Sequence, residues 1–88
     1  MKITWHEGAW EEYLYWQGAD RRILRRINNL IRDIGRSDEG GIGKPEQLTG
    51  DLSGYFSRRI DEEHRLVYRV DNAGETLIIV ACRYHYSK

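Results

Sequence analysis

Thr76-Leu77-Ile78-Ile79-Val80-Ala81-Cys82-Arg83-Tyr84-His85-Tyr86 decides the fold of this 88-residue chain. Its middle, Leu77 to Val80, is apolar at consecutive positions, so a strand there has no side to turn to water and belongs inside a sheet. The pattern predicts one long strand from Thr76 to Tyr86. Just upstream, Asn72-Ala73-Gly74 has the chemistry of a hairpin turn. His64 to Asp71 alternates, setting Leu66, Tyr68 and Val70 against Arg65, Val67 and Arg69. Asp61-Glu62-Glu63 turns the chain again. Before it, Gly54 to Asp61 sets Phe56 and Ile60 against Ser57 and Arg59.

Further out, the period changes. Ser37 to Gly50 reads as a loop, because Gly40, Gly41, Gly43 and Pro45 oppose regular structure. From Asp20, a helix cap, to Arg36 the apolar residues Ile23, Leu24, Ile27, Leu30, Ile31 and Ile34 form a stripe of helical period, with Gly35 in the last turn. A first helix runs from about Glu7 to Gln17, stopped by Gly18. Trp10, Tyr13, Leu14 and Gln17 recur on it at three- and four-residue steps, and Trp10 and Trp16 are expected in the core. A short strand ends near Trp5 or His6. The order β-α-α-β-β-β predicts an α+β fold: one domain over 1–88, a twisted, mainly antiparallel sheet with both helices on one face and polar side chains on the other.

Composition narrows the function. No apolar run approaches the roughly 20 residues of a membrane span, and no signal-peptide pattern opens the chain. A single cysteine, Cys82, permits no internal disulfide and fits a reducing cytoplasm; within an apolar strand it reads as a packed thiol. Fourteen basic and fourteen acidic residues cancel, which argues against nonspecific coating of nucleic acid. Eleven of the cations are Arg, however, and six of those lie between Asp20 and Ser37, so a local positive face remains open to RNA. No Cys/His cluster has metal-ligand spacing, and neither a phosphate loop nor a dinucleotide fingerprint occurs. Ser53 and Ser57 lack a nucleophile elbow. An enzyme built on this chain would use acid–base and electrostatic catalysis, with no cofactor and no metal.

The chemistry-bearing residues lie on or beside the second sheet face. Arg59 and Arg65 project from neighbouring strands and suit a phosphate gathering charge; on residue type alone the favoured reading is surface ion pairs with Asp61, Glu62 and Glu63. His85 closes the last strand between Tyr84 and Tyr86, as a proton donor or as part of an aromatic cluster. Glu46 sits in the glycine-rich loop, as a base or as a solvated side chain. His6 and His64 read as surface residues. Tyr55, Phe56, Tyr84 and Tyr86 are the rings that could stack on bases.

Trp10-Glu11-Glu12-Tyr13-Leu14-Tyr15-Trp16-Gln17, Gly43-Lys44-Pro45-Glu46, the run from Leu52 through Ser57-Arg58-Arg59-Ile60 and Glu62-Glu63-His64-Arg65 to Tyr68, and Ala81-Cys82-Arg83-Tyr84-His85-Tyr86 closely resemble YoeB toxins of the RelE/ParE superfamily. The resemblance covers nearly the whole chain. It implies a RelE-like fold and a messenger-RNA endoribonuclease acting in the ribosomal A site. It also implies inhibition by a YefM-type antitoxin that binds operator DNA as a co-repressor complex; a homodimer of the toxin is compatible with it. By that likeness Glu46 is the general base, His85 the general acid and Arg65 the phosphate stabiliser assisted by Arg59, with Glu63 and Tyr86 supporting. Two departures stand out: Thr49 replaces a basic residue common in the family, and Ser87-Lys88 extends past the usual Tyr-His-Tyr ending. The competing expectations are a ParE-like gyrase inhibitor of the same fold and a non-catalytic binding module that uses the arginine-rich helix.

Overall fold

A computed structural model describes residues 1–36 and 41–84. The chain forms β1 (Lys2–Trp5), α1 (Glu7–Ala19), α2 (Arg21–Arg36), β2 (Glu46–Gln47), β3 (Phe56–Arg59), β4 (Arg65–Asp71) and β5 (Thr76–Ala81). The strands make one sheet in the order β1-β5-β4-β3-β2, with β1 parallel to β5 and every other pair antiparallel. β5 is thus flanked on both sides, as its apolar run requires. Asn72, Ala73 and Gly74 all take positive φ and close the β4–β5 hairpin. At β5 the register skips Val80: Val67 faces Ala81, but Tyr68 faces Ile79.

The α2 stripe behaves as its period predicts. Ile27, Leu30 and Ile34 are buried against Leu66, Tyr68, Leu77 and Ile79 of the sheet. Asp20 caps the helix, its Oδ1 accepting the N–H groups of Arg22 at 2.9 Å and Ile23 at 3.4 Å.

α1 departs from the sequence reading. Its inward positions are Ala9, Tyr13 and Trp16, while Trp10 and Leu14 are exposed. Large apolar residues lie nearly all around this helix, so their spacing could not choose a face; small Ala9 chose it, by letting the helix approach the chain at Cys82. The Cys82 thiol lies 3.6 Å from the Ala9 carbonyl. Trp10 instead joins a surface cluster with Trp5 and Tyr13. Gly18 does not end the helix, which continues to Ala19 and is closed by the Asp20 N–H donating to the Trp16 carbonyl.

Two further differences bear on the site. The segment read as a loop from Ser37 to Gly50 contains β2, which adds a fifth strand to the sheet through Glu46↔Ser57 and Gln47↔Phe56. The final strand ends at Ala81 and does not reach Tyr86. Past it, the Cys82 N–H donates to Glu12 Oε1 (2.8 Å) and the Trp16 indole N–H donates to the Cys82 carbonyl (2.9 Å), so α1 takes over the backbone groups a strand partner would use.

Candidate active site

Strand pairing assembles this site. Residues directly opposite in an antiparallel pair share a face, so Glu46, Ser57 and Val67 form one row across β2, β3 and β4. Arg59 and Arg65 are register partners two residues further along and form the next row on that face. By strand spacing, Glu46 lies about 8 Å from Arg59 and about 12 Å from Arg65, backbone to backbone, within reach of a group held between their side chains. Ser57 and Val67 are buried, whereas Glu46 and Arg59 are exposed and Arg65 is half-buried. The face is therefore not uniformly polar: it has a small, buried floor and a charged rim.

The arginines keep their charge available. The Arg65 Nη1 donates to the carbonyls of Asp61 (2.8 Å) and His64 (3.1 Å), which ties the guanidinium to the β3–β4 turn without neutralising it. Among the described residues neither Arg59 nor Arg65 meets a carboxylate within ion-pair distance. The expected pairing with the turn acids does not form. Asp61 Oδ1 instead accepts the N–H groups of Glu63 (2.8 Å) and His64 (2.7 Å), and Glu63 lies 3.6 Å from His64 Nε2.

Glu46 is placed by the segment before it. Arg59 N–H donates to the Gly43 carbonyl at 2.7 Å, and the Leu48 N–H donates to the Tyr55 carbonyl at 2.9 Å, bracketing β2. Upstream, Asp33 Oδ2 of α2 accepts from the Ile42 N–H (3.1 Å) and from the buried Arg58 guanidinium (2.5 Å), which also reaches the Ile42 carbonyl (3.2 Å) and the Tyr68 hydroxyl (3.0 Å). That guanidinium holds the Asp33 carboxyl below the usual carboxylate range. Gly41 is obligatory here, since a Cβ would sit 2.1 Å from Asp33 Oδ2.

His64 is not a surface residue. It is buried against the edge of Trp16, and its Nδ1 accepts the Tyr84 N–H at 2.7 Å. Its proton accordingly sits on Nε2, toward Glu63. The Tyr84 carbonyl accepts the Arg65 N–H at 3.1 Å, so the described chain ends alongside Arg65. His85 and Tyr86 lie outside the described residues. Alternation was the signal for the two residues missed: His64 falls in phase with Leu66 and Tyr68, and Arg58 with Phe56 and Ile60. Of the candidate stacking rings, Phe56 packs on Tyr68 at 5.8 Å, while Tyr84 is half exposed. Burial, then the charge of Glu12, pushes the Cys82 thiol up to about 12, consistent with a packed and unreactive side chain.

Among the described residues no three His, Cys, Asp or Glu side chains gather as metal ligands, and no helix is long and apolar enough to cross a membrane. A cleft of about 620 Å³ at the β1 edge is lined by Met1, Ile3, Trp5, Tyr13 and Ile31, on the far side of the sheet from Glu46.

A family model described as the YoeB-like toxin of bacterial type II toxin–antitoxin systems matches residues 5–86. The chain belongs to the YoeB toxin family. Toxin YoeB of Escherichia coli K12 is 56% identical over 86 residues, covering 98% of this chain and all of that one. The YoeB/ParE toxin of Agrobacterium tumefaciens superposes with a TM-score of 0.95 at 49% identity, covering 98% of this chain and 100% of that one. YoeB of Staphylococcus aureus, solved as a dimer, gives 0.89 at 46% identity over 98% of each chain; that toxin has also been solved with YefM. The mixed five-stranded sheet with two helices packed on it is the architecture this chain shares with them.

Proposed function

We propose that this YoeB-family toxin is a ribosome-dependent messenger-RNA endoribonuclease working without a metal. One observation carries this: Glu46, Arg59 and Arg65 project from the same face of three consecutive strands, with both guanidinium groups unneutralised among the described residues. A carboxylate beside two fixed cations suits a reaction in which a proton leaves an oxygen while charge builds on a phosphate. Glu46 takes the proton of a ribose 2′-hydroxyl, and the 2′-oxygen forms a bond to the adjacent phosphorus. Arg65 and Arg59 hold the nonbridging oxygens as the P–O5′ bond breaks. His85 gives a proton to the departing 5′-oxygen. The products are a 2′,3′-cyclic phosphate and a 5′-hydroxyl. Glu63 acts through His64, and Tyr86 supports the acid.

The partner is a YefM-type antitoxin, in line with the Staphylococcus aureus toxin solved with YefM, and the pair acts as co-repressor on operator DNA. Self-association follows the dimer solved for that same relative. The site of action is the ribosome, hence the cytoplasm.

The test is cleavage of a reporter message in a translating extract, with RNA ends mapped. Wild type should cut within translated frames and leave cyclic phosphate ends. Glu46→Gln and Arg65→Ala should each lose two or more orders of magnitude, on the scale of about 10²–10⁴ for a general base. A 2′-deoxy substitution at the cut site should abolish cutting. Intact transcripts in cells whose growth the induced protein arrests would instead favour the gyrase-inhibitor reading, and full activity of Glu46→Gln in the extract would remove that residue from the mechanism.

A further inference from the structure

Tyr84 is an aromatic side chain that the core leaves in water: it is 51% exposed, whereas Trp16 is buried and Phe56 stacks on Tyr68. Its backbone is nonetheless fixed. With φ at +64°, Tyr84 adopts the left-handed conformation that residues with a bulky side chain rarely take, and such strain persists only where its surroundings impose it. Here His64 Nδ1 accepts its N–H at 2.7 Å, and the Arg65 N–H donates to its carbonyl at 3.1 Å.

The ring has unusual backing. The Arg83 guanidinium carbon lies 4.7 Å from the Tyr84 ring centroid, 3.7 Å from that of Tyr15 and 5.9 Å from that of Trp16. Among the described residues no carboxylate pairs with Arg83, and its buried Nε has no hydrogen-bond partner. The rings hold this cation, and the cation in turn holds the rings in a stack. A stack fixed before any ligand arrives loses little freedom on binding.

We propose that Tyr84, backed by Arg83 and Tyr15, is a stacking platform for an unpaired nucleobase adjoining the phosphate held by Arg59 and Arg65. The proposal rests on the RNA-cleaving function above and gives it a base-binding subsite. Every base presents a π-face, so the platform favours single-stranded RNA without reading its hydrogen-bonding edge. The hydrogen bond from Arg65 to Tyr84 couples the two contacts, because the residue that clasps phosphate also fixes the backbone of the residue that stacks.

The test separates stacking from cutting. A short single-stranded RNA, 2′-O-methylated throughout so that it cannot be cleaved, carries 2-aminopurine at successive positions. Binding to wild type should quench the probe at one position, and Tyr84→Phe should preserve the quench. Tyr84→Leu should abolish it and raise Kd about tenfold, equivalent to about 1.4 kcal/mol, within the range of base–aromatic stacking. An abasic nucleotide at that position should weaken wild type by the same factor and Tyr84→Leu no further. Unchanged Kd and quench in Tyr84→Leu, a further loss by Tyr84→Leu on the abasic RNA as large as that of wild type, or no binding by wild type would each overturn the platform. Stacking without cleavage in a translating extract would instead sink the nuclease function and leave the platform standing.

Discussion

Gly43→Ala should destabilise this protein by well more than the cost of a left-handed backbone alone. Gly43 has φ at +85°, and a Cβ there would lie 2.8 Å from Leu30 Cδ2, 3.1 Å from Arg58 Cβ and 3.3 Å from the Arg59 carbonyl oxygen. Leu30 and Arg58 are fully buried, so neither can swing into solvent, and the third neighbour is backbone. Left-handed backbone costs a residue with a Cβ about 1–2 kcal/mol. Overpacking a filled site adds about 1–3 kcal/mol, for a total of about 2–5 kcal/mol. At about 4–8 °C per kcal/mol for a domain of this size, the melting temperature should fall by at least about 8 °C. Gly50→Ala is the control, because Gly50 has φ at +66° but open space around it and should show the backbone cost alone. Urea unfolding followed by tryptophan fluorescence measures both. If the two variants agreed within about 0.5 kcal/mol, the close packing assigned to Gly43 would be wrong. Cleavage should fall as well at temperatures where Gly43→Ala is folded, since the Arg59 N–H bond to the Gly43 carbonyl helps to place β2.

His64→Leu should speed hydrogen exchange at the Tyr84 amide while sparing β4 and β5, and His64→Asn, whose side-chain oxygen can accept the same N–H, should restore protection; equal exchange in all three proteins would dismiss the clamp. Asp33 is depressed chiefly by its hydrogen bond from Arg58, so the unfolded chain takes up its proton first. The stability it contributes is present above the ordinary carboxyl value of 3.8 and lost as pH falls through the folded value; urea midpoints at falling pH should therefore drop more steeply for wild type than for Asp33→Asn. With its pKa pushed up to about 12, Cys82 should resist iodoacetamide in the native state and react on unfolding, and alkylation of the folded protein at free-thiol rates would contradict its burial.

What the sequence disclosed follows the strength of its periodicities. The α2 stripe and the β4 alternation each encode one face; the stripe appears as read, and in β4 the faces are as read except that Val67, on the side expected to be polar, is buried. The approach of Arg59 to Arg65 was legible for the same reason, since alternation and a short turn suffice to pair them. Glu46 was harder: a two-residue strand has no period, and its side of the sheet follows only from pairing with Ser57. The end of β5 was invisible because Arg83 and Tyr84 suit a strand as well as a bend; the decision lies with Glu12 and Trp16, some 70 residues earlier, which claim the Cys82 backbone. His85 was legible as a candidate proton donor by residue type, while its choice as the general acid and the supporting role of Tyr86 came from family resemblance.

Arg58 and Arg59 show how closely the site depends on register. Adjacent in sequence and identical in chemistry, they end on opposite faces: Arg58 is fully buried and Arg59 is exposed. A slip of β3 by one residue would exchange them, turning Phe56 and Ile60 away from the helices and Ser57 toward them. Apolar burial alone opposes the slip, but Asp33, Tyr68 and the Ile42 carbonyl oppose it more specifically, since they match a guanidinium at position 58. A buried ion pair is weak evidence of net stability, because desolvation offsets most of its attraction; its better-attested use is to specify register. On that view Arg58 takes no part in binding phosphate, and its contribution is to keep Arg59 opposite Arg65 and Ser57 opposite Glu46. The most buried cation among the described residues thereby decides where the exposed ones stand.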